Sequence, residues 1–86
     1  MNLEEIARKE IEKMDKVIKE VKVLEPKALE IYNLAISYLI DSKYFLEKKD
    51  FIRAFECVVI SWAYLDACLH LNLIEIPEKY KDYFTK

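Results

Sequence analysis

The stretch that decides the fold reads FIRAFECVVISWAYLDACLHL, from Phe51 to Leu71, and it is the most apolar part of the chain. It contains neither glycine nor proline, and it is longer than ordinary β-strands, so its length favours a helix. Asp50 stands directly before it. Aspartate is a preferred N-cap because its carboxylate accepts a hydrogen bond from a free backbone N–H of the first turn. A helix that is apolar around most of its circumference must be covered on at least two sides.

This apolar run is not expected to cross a membrane. Glu56, Asp66 and His70 lie inside it, and each acid costs roughly 3 kcal/mol at the centre of a bilayer. The first residues, MNLEE, are acidic and lack the apolar core of a signal peptide. We therefore expect a cytoplasmic protein with no membrane partner.

Length and composition predict one domain that comprises residues 1–86. Hydrophobic residues make up 53% of the chain, which is enough for a core and too many for a disordered protein. The net charge is −2, from 14 basic and 16 acidic residues. This near balance gives no general attraction to nucleic acid, so nucleic acid binding through the lysines of the first helix is a minor hypothesis.

Two further helices precede the apolar stretch. Residues 3–24 repeat apolar side chains at spacings of three, four and seven, which is typical of a helix that packs along one side. Residues 26–48 begin with Pro26, which suits the first turn of a helix, and they are apolar over more than half of the circumference. The predicted helices span about 3–24, 26–48 and 50–72, and their short connections make consecutive helices antiparallel.

A glycine in the left-handed backbone conformation often closes a helix. The chain contains no glycine, so other residues must end the second and third predicted helices. Lys49 or a neighbour is expected to adopt this conformation after the second helix, and Asn72 is expected to end the third. A short tail helix at about 77–84 places Tyr80, Tyr83 and Phe84 on one face. This face is expected either to fold back over an open end of the bundle or to dock on another subunit.

The sequence thus predicts an all-α fold, an antiparallel up-down-up three-helix bundle with a short C-terminal helical extension. Its side chains at the helical spacings predict a single core. The predicted core residues are Ala7, Ile11, Met14, Ile18, Val21, Tyr32, Ala35, Ile36, Leu39, Phe45, Phe55, Val58, Val59, Trp62, Leu65 and Leu69.

Three segments of the second and third predicted helices point to a known family. They are YLIDSKYFLEKKD at residues 38–50, RAFE at residues 53–56 and AYLDA at residues 63–67. Together they resemble the domain-of-unknown-function 357 family of short archaeal proteins. The resemblance implies a three-helix bundle and brings no assigned activity.

The sequence offers little catalytic chemistry. Asp66 and His70 stand four residues apart, so a helix would bring them within hydrogen-bond reach, and a carboxylate that orients an imidazole is one half of many catalytic sites. We predict a polar network rather than a catalytic site, and no residue is assigned a catalytic role. The residues of this predicted network are Asp41, Asp50, Arg53, Glu56, Asp66 and His70.

No metal or cofactor is expected. The chain has one histidine and no cysteine cluster, so the ligand spacing of a zinc site is missing. With no glycine it also lacks a phosphate-cradling loop. Cys57 and Cys68 stand eleven residues apart, about 16 Å along one helix, which is too far for a disulfide between them.

The leading functional hypothesis is a non-enzymatic protein-interaction or self-assembly module. Two predicted helices are apolar over most of their circumference, and a single three-helix bundle covers only part of that surface. A homodimer, or a complex with another protein, would bury the rest. The alternative is a small-molecule or nucleotide-binding protein, or an enzyme, that uses a polar groove around Glu56, Asp66 and His70.

Overall fold

A computed structural model describes residues 2–84, and three long helices make up most of it. They are α1 (Leu3–Ile18), α2 (Leu29–Glu47) and α3 (Phe51–His70). The shorter elements are strands β1 (Lys22–Val23) and β2 (Ile74–Glu75) and two 3₁₀ helices, Pro26–Ala28 and Glu78–Tyr83. The prediction of an all-α fold is confirmed. Met1, Thr85 and Lys86, which belong to the predicted domain, lie outside the described residues.

The helices form an up-down-up bundle. Helices α2 and α3 are joined by a three-residue turn and pack against each other along their length, and α1 packs against both. Strand β1 follows α1 and pairs antiparallel with β2, which follows α3, so that Lys22 lies opposite Glu75. This pairing holds the ends of α1 and α3 side by side. No helix within residues 2–84 is both long and apolar enough to span a bilayer.

The predicted helix ends are confirmed at three positions. The Asp50 carboxylate accepts a hydrogen bond from the backbone N–H of Arg53 at 3.2 Å and caps α3. Lys49 has a φ of 62° and Asn72 a φ of 57°, so both occupy the left-handed region. Because the chain has no glycine, residues that carry a β-carbon close α2 and α3. The left-handed conformation is less favourable for such residues than for glycine.

Helix α1 ends at Ile18, six residues earlier than predicted. The apolar repeat does continue through Val21 and Val23, but neither residue lies on a helix: Val23 belongs to β1, and Val21 directly precedes this strand. Antiparallel pairing with β2 satisfies the backbone of this segment, and the Leu24 N–H donates to the Leu73 carbonyl oxygen at 2.9 Å. The side chains of Val21 and Val23 still pack against the core. The apolar spacing therefore identified side chains that pack against the core, but it predicted the wrong backbone conformation for this segment.

Most of the predicted core is buried or packed against buried residues, and one residue is wrong: Val59 is 44% exposed. The residues that the prediction missed include two serines, Ser42 and Ser61, which are fully buried in the α2–α3 hairpin. The Ser61 hydroxyl donates to the Ala35 carbonyl oxygen of α2 at 2.7 Å. This contact joins the two helix backbones at a point where only a small side chain fits.

The tail folds back onto its own chain, as in the first of its two predicted placements, but it covers a flank of α3 rather than an open end of the bundle. Tyr80 and Phe84 are buried, whereas Tyr83 is 43% exposed. The rings of Tyr83 and Phe84 meet Trp62 of α3 edge to face, with centroids 5.9 and 5.3 Å apart. On the α1 side, the Lys13 ammonium lies 5.2 Å from the centre of the Tyr83 ring. The tail thus covers one flank of α3, between α3 and α1.

Candidate functional site

The six residues of the predicted polar network do not come together at one place. Asp50 and Arg53 form an ion pair of 3.6 Å at the start of α3, where Asp50 also caps the helix. Asp66 and His70 lie 3.4 Å apart near the end of the same helix. Thirteen residues of helix separate Arg53 from Asp66, which is about 20 Å along the axis. The network is therefore divided between the two ends of α3 rather than gathered in one groove.

The remaining two residues of the network, Asp41 and Glu56, lie near the side chain of Cys57. Burial raises the pKa of the Cys57 thiol, and the charges of Asp41, Glu56 and Asp50 raise it further. Burial also raises the pKa of Cys68. Since the thiolate is the reactive form of cysteine, these surroundings lower the reactivity of both thiols at neutral pH.

The pair of Asp66 and His70 has no groove of the predicted kind around it. Glu56 lies ten residues before Asp66, about 15 Å along the helix. Asp66 instead borders a shallow cavity of about 210 Å³ between α3 and the tail. None of its lining side chains is a serine, threonine, cysteine or lysine. The lining residues are Val59, Trp62, Ala63, Asp66, Tyr83 and Phe84.

Within residues 2–84, no group of three or more histidine, cysteine, aspartate or glutamate side chains is arranged to hold a metal ion. One buried polar atom has no hydrogen-bond partner in this part of the chain, the indole nitrogen of Trp62. The ring contacts with Tyr83 and Phe84 enclose this indole. It contributes to the packing of the tail.

A polar contact that the sequence did not predict anchors the tail. The Tyr80 hydroxyl donates to a carboxylate oxygen of Glu20 at 2.5 Å, and the Lys79 ammonium lies 3.5 Å from the other oxygen. The hydrogen bond from Tyr80 is the main reason that the pKa of Glu20 is lowered, and the same bond raises the pKa of Tyr80. No local pattern could have identified this contact, because its partners stand 60 residues apart.

A further apolar surface lies along the line where α2 and α3 meet, on the side remote from α1. The rings of Tyr38 and Tyr64 touch across this line, with centroids 5.8 Å apart. We call this region the seam surface and define it by eight residues of the two helices. Its residues are Leu34, Tyr38, Asp41 and Phe45 of α2, and Arg53, Cys57, Ile60 and Tyr64 of α3.

Helical geometry places the seam surface away from α1. Each residue turns an α-helix by about 100°. On α2, Tyr32 donates to the Ile18 carbonyl oxygen and Lys43 pairs with Asp15 at 2.6 Å, so their side of the helix faces α1. Tyr38 lies about 120° from Tyr32 and about 140° from Lys43 around the helix. On α3, Tyr64 stands two positions after Trp62, about 160° away around the helix, and the Trp62 ring meets the tail.

The seam surface is apolar in its middle and charged at one end. Leu34 is 39% and Ile60 is 37% exposed, and its other apolar residues are half-buried. Arg53 reaches across from α3, with its guanidinium carbon 5.8 Å from the centre of the Phe45 ring. Among the described residues, the Asp41 carboxylate has neither a hydrogen bond nor an ion pair.

Two other isoleucines of the same helices are even more exposed but lie elsewhere. Ile40 of α2 is 59% exposed and Ile52 of α3 is 64% exposed. By the same rotation of about 100° per residue, Ile52 lies about 80° around α3 from Ile60. Exposure alone therefore does not define the seam surface. Its distinguishing feature is that apolar side chains from two helices adjoin.

Comparison with known proteins gives a family and a fold. The sequence profile of the family described as "Protein of unknown function (DUF357)" matches residues 3–74. The crystal structure of protein AF1782 from Archaeoglobus fulgidus, assigned to the same family, is similar with a TM-score of 0.77 and 35% sequence identity. The similarity covers 87% of this chain and 93% of that one. A search of the curated proteins found no match. The family match takes in all three helices and strand β1 and ends at the first residue of β2, and the chain belongs to the DUF357 family.

Proposed function

We propose that this protein is a non-enzymatic self-assembly module that forms a homodimer through the seam surface. The observation that supports this proposal is the apolar middle of that surface, which neither α1 nor the tail covers. Leu34, Tyr38, Ile60 and Tyr64 adjoin there and come from two different helices.

A contiguous apolar surface of this kind has a physical cost in water. Burying apolar area stabilises a complex by roughly 25 cal/mol per Å². Monomeric proteins seldom expose large apolar patches, and such patches commonly mark sites of protein association. A second copy of the chain offers the same flat, two-helix surface, and a two-fold axis would bring the two surfaces into contact.

The alternative hypothesis, a ligand site or active site around Glu56, Asp66 and His70, has less support. Glu56 lies about 15 Å along α3 from Asp66, so the three side chains do not share a groove. The Asp66–His70 pair remains, but the cavity beside Asp66 is lined by no serine, threonine, cysteine or lysine.

Light scattering and sedimentation over a concentration series test the proposal. We expect the mass to rise with concentration from 10.3 kDa towards twice that value. Substitution of Ile60 by Asp places a charge in the middle of the seam surface and should weaken association at least tenfold, which corresponds to about 1.4 kcal/mol. A monomeric mass at every concentration up to the high micromolar range would refute the homodimer.

Exposed isoleucines off the seam surface supply matched controls. Ile52→Asp makes the same change on the same helix, and it should leave the mass at each concentration unaltered. Leu34→Asp and Ile40→Asp form the equivalent pair on α2. Thermal melts of all four variants establish that they are folded. If Ile52→Asp and Ile60→Asp reduce association equally, the interface does not lie on the seam surface.

A further inference from the structure

The two charged residues of the seam surface stand at the same end and on different helices. Asp41 lies on α2 and Arg53 on α3, both near the turn that joins the helices. Among the described residues, only one of the two has an ion-pair partner. Arg53 pairs with the capping Asp50 at 3.6 Å, whereas Asp41 has no ion pair or hydrogen bond among the described residues. An unpaired acid therefore borders an apolar surface, with a base one helix away.

We infer that two copies of this chain meet with their helices in the same direction, so that Asp41 of each copy pairs with Arg53 of the other. This inference rests on the proposed function and specifies the geometry of the same interface. The two-fold axis then runs along the seam, between α2 and α3. Helix α2 of one copy lies on α3 of its partner, and both three-residue turns point to the same end.

The antiparallel packing of α2 and α3 sets the level of each residue along the seam. Arg53 lies against Phe45, one helical turn beyond Asp41 on α2. Asp41 therefore stands about one turn, or 5.4 Å, from the level of Arg53. A two-fold axis along the seam preserves these levels and exchanges the two helices. It brings the Asp41 carboxylate to the partner's α3 within the reach of a long arginine side chain.

A two-fold axis can also lie in the plane of the surface but perpendicular to the helices. It would place the helices of the two copies antiparallel, with the turn of each copy at the opposite end of the dimer. Asp41 would then face the apolar part of the partner, and Arg53 would meet the opposite end of the partner's α3, around Ala67. Each charge would lose water without gaining a partner of opposite sign, which is strongly unfavourable. The position of one acid and one base at one end thus selects the axis along the seam.

Charge reversal tests this geometry with the full chain. In a homodimer, Asp41→Arg brings the substituted side chain of one copy next to Arg53 of the other, so that two positive charges meet. Arg53→Asp brings the substituted side chain next to Asp41 of the other copy, so that two negative charges meet. Each variant by itself should dissociate at least tenfold more readily than the wild type. An equimolar mixture restores both pairs and should form a heterodimer with a dissociation constant close to that of the wild type. Native mass spectrometry identifies the heterodimer, because the two variants differ in mass.

Control variants separate this effect from a general effect of charge. Glu12→Arg and Lys9→Asp reverse charges on the exposed face of α1 and should leave association unchanged, alone or mixed. The neutral variants Asp41→Asn and Arg53→Gln, combined in a double-mutant cycle, report the coupling without introducing repulsion. Their melting temperatures should stay close to that of the wild type, since neither residue is buried.

The outcomes distinguish the geometry from the proposed function. If the wild type dimerises and Ile60→Asp disrupts the dimer, but the mixture gives no heterodimer, the axis along the seam is wrong and self-assembly stands. If the double variant Asp41→Arg/Arg53→Asp recovers the dimer affinity but the mixture of single variants does not, the pair forms within one copy and the inference is overturned. If the wild type is a monomer, both proposals fail together.

Discussion

Helix α3 has two apolar flanks, and the chain covers only one of them. On one flank Trp62 meets the rings of Tyr83 and Phe84, and the tail closes the space between α3 and α1. On the other flank Ile60 and Tyr64 adjoin Tyr38 of α2 and face outward. Both flanks are rich in large apolar residues. The difference is that one has a later segment of the same chain to cover it, which a helical pattern alone does not reveal.

The largest expected effect concerns the covered flank. Phe84→Ala removes a buried ring that packs on Trp62, and truncations of buried phenylalanine destabilise by about 3 kcal/mol. Ile60→Ala, on the uncovered flank, should cost less than about 1 kcal/mol under conditions where the protein is monomeric. Urea unfolding of both variants at low protein concentration measures the contrast. Equal losses would mean that the two flanks do not differ as described.

The second prediction concerns the pH range in which the tail stays docked. The pKa of Glu20 is lowered by the hydrogen bond from Tyr80, so this contact stabilises docking above the ordinary glutamate pKa of about 4.3. Its contribution is lost as the pH falls through the lowered pKa. The pKa values of Tyr80 and Lys79 are raised, so their contributions are lost only as the pH rises above about 10.

Fluorescence of Trp62, the only tryptophan in the chain, measures this dependence because the tail covers its ring. The signal should be constant between those limits and should change on the acid side as the tail opens. Glu20→Gln should remove most of the acid change, whereas Glu12→Gln on the exposed face of α1 should keep it. A wild-type signal that stays flat to low pH would show that the ring contacts alone hold the tail.

The third prediction concerns the turn before α3, which belongs to neither flank. Lys49 has a φ of 62°, and a left-handed conformation costs a residue with a β-carbon about 1–2 kcal/mol. Lys49→Gly relieves this cost but adds the entropy of glycine, so we expect a net gain of about 0.5 kcal/mol. Lys48→Gly, at a φ of −78°, should instead destabilise. Melting temperatures of the two variants provide the measurement.

The smallest expected effect is a difference in the labelling of the two cysteines. Cys57 is half-buried on the seam surface and Cys68 is buried in the core, and burial raises the pKa of both thiols. Iodoacetamide at neutral pH should modify Cys57 before Cys68, both slowly. Self-association should slow the labelling of Cys57 as the protein concentration rises, without affecting Cys68. Mass spectrometry of the labelled peptides follows both rates.

The sequence was sufficient for the features that depend on local pattern. The helix class, the Asp50 cap, the left-handed Lys49 and most of the core follow from spacing, capping chemistry and the absence of glycine. It was insufficient where distant segments compete for the same surface. Val23 falls within the predicted first helix, yet pairing with β2 holds it in extended backbone. Val59 continues an apolar run, yet it stays 44% exposed at the edge of the cavity between α3 and the tail.

The same reasoning applies to the candidate sites. Asp66 and His70 pair as their spacing predicted, because both lie within one helix. The anchor between Glu20 and Tyr80 depends on how the tail returns to the bundle, and the seam surface depends on which flank the tail leaves open. Neither can be derived from the residues near it in the sequence.

The short β1–β2 ladder also has a consequence for the order of folding. The three-residue turn between α2 and α3 lets that hairpin form with little loss of chain entropy, whereas the ladder must close a loop of about 50 residues. Contacts of such long separation form slowly. We therefore expect the α2–α3 hairpin to form first and the ladder, followed by the tail, to close last. Under native conditions the amide protons of the ladder should exchange with solvent through local opening, well before those in the middle of α3.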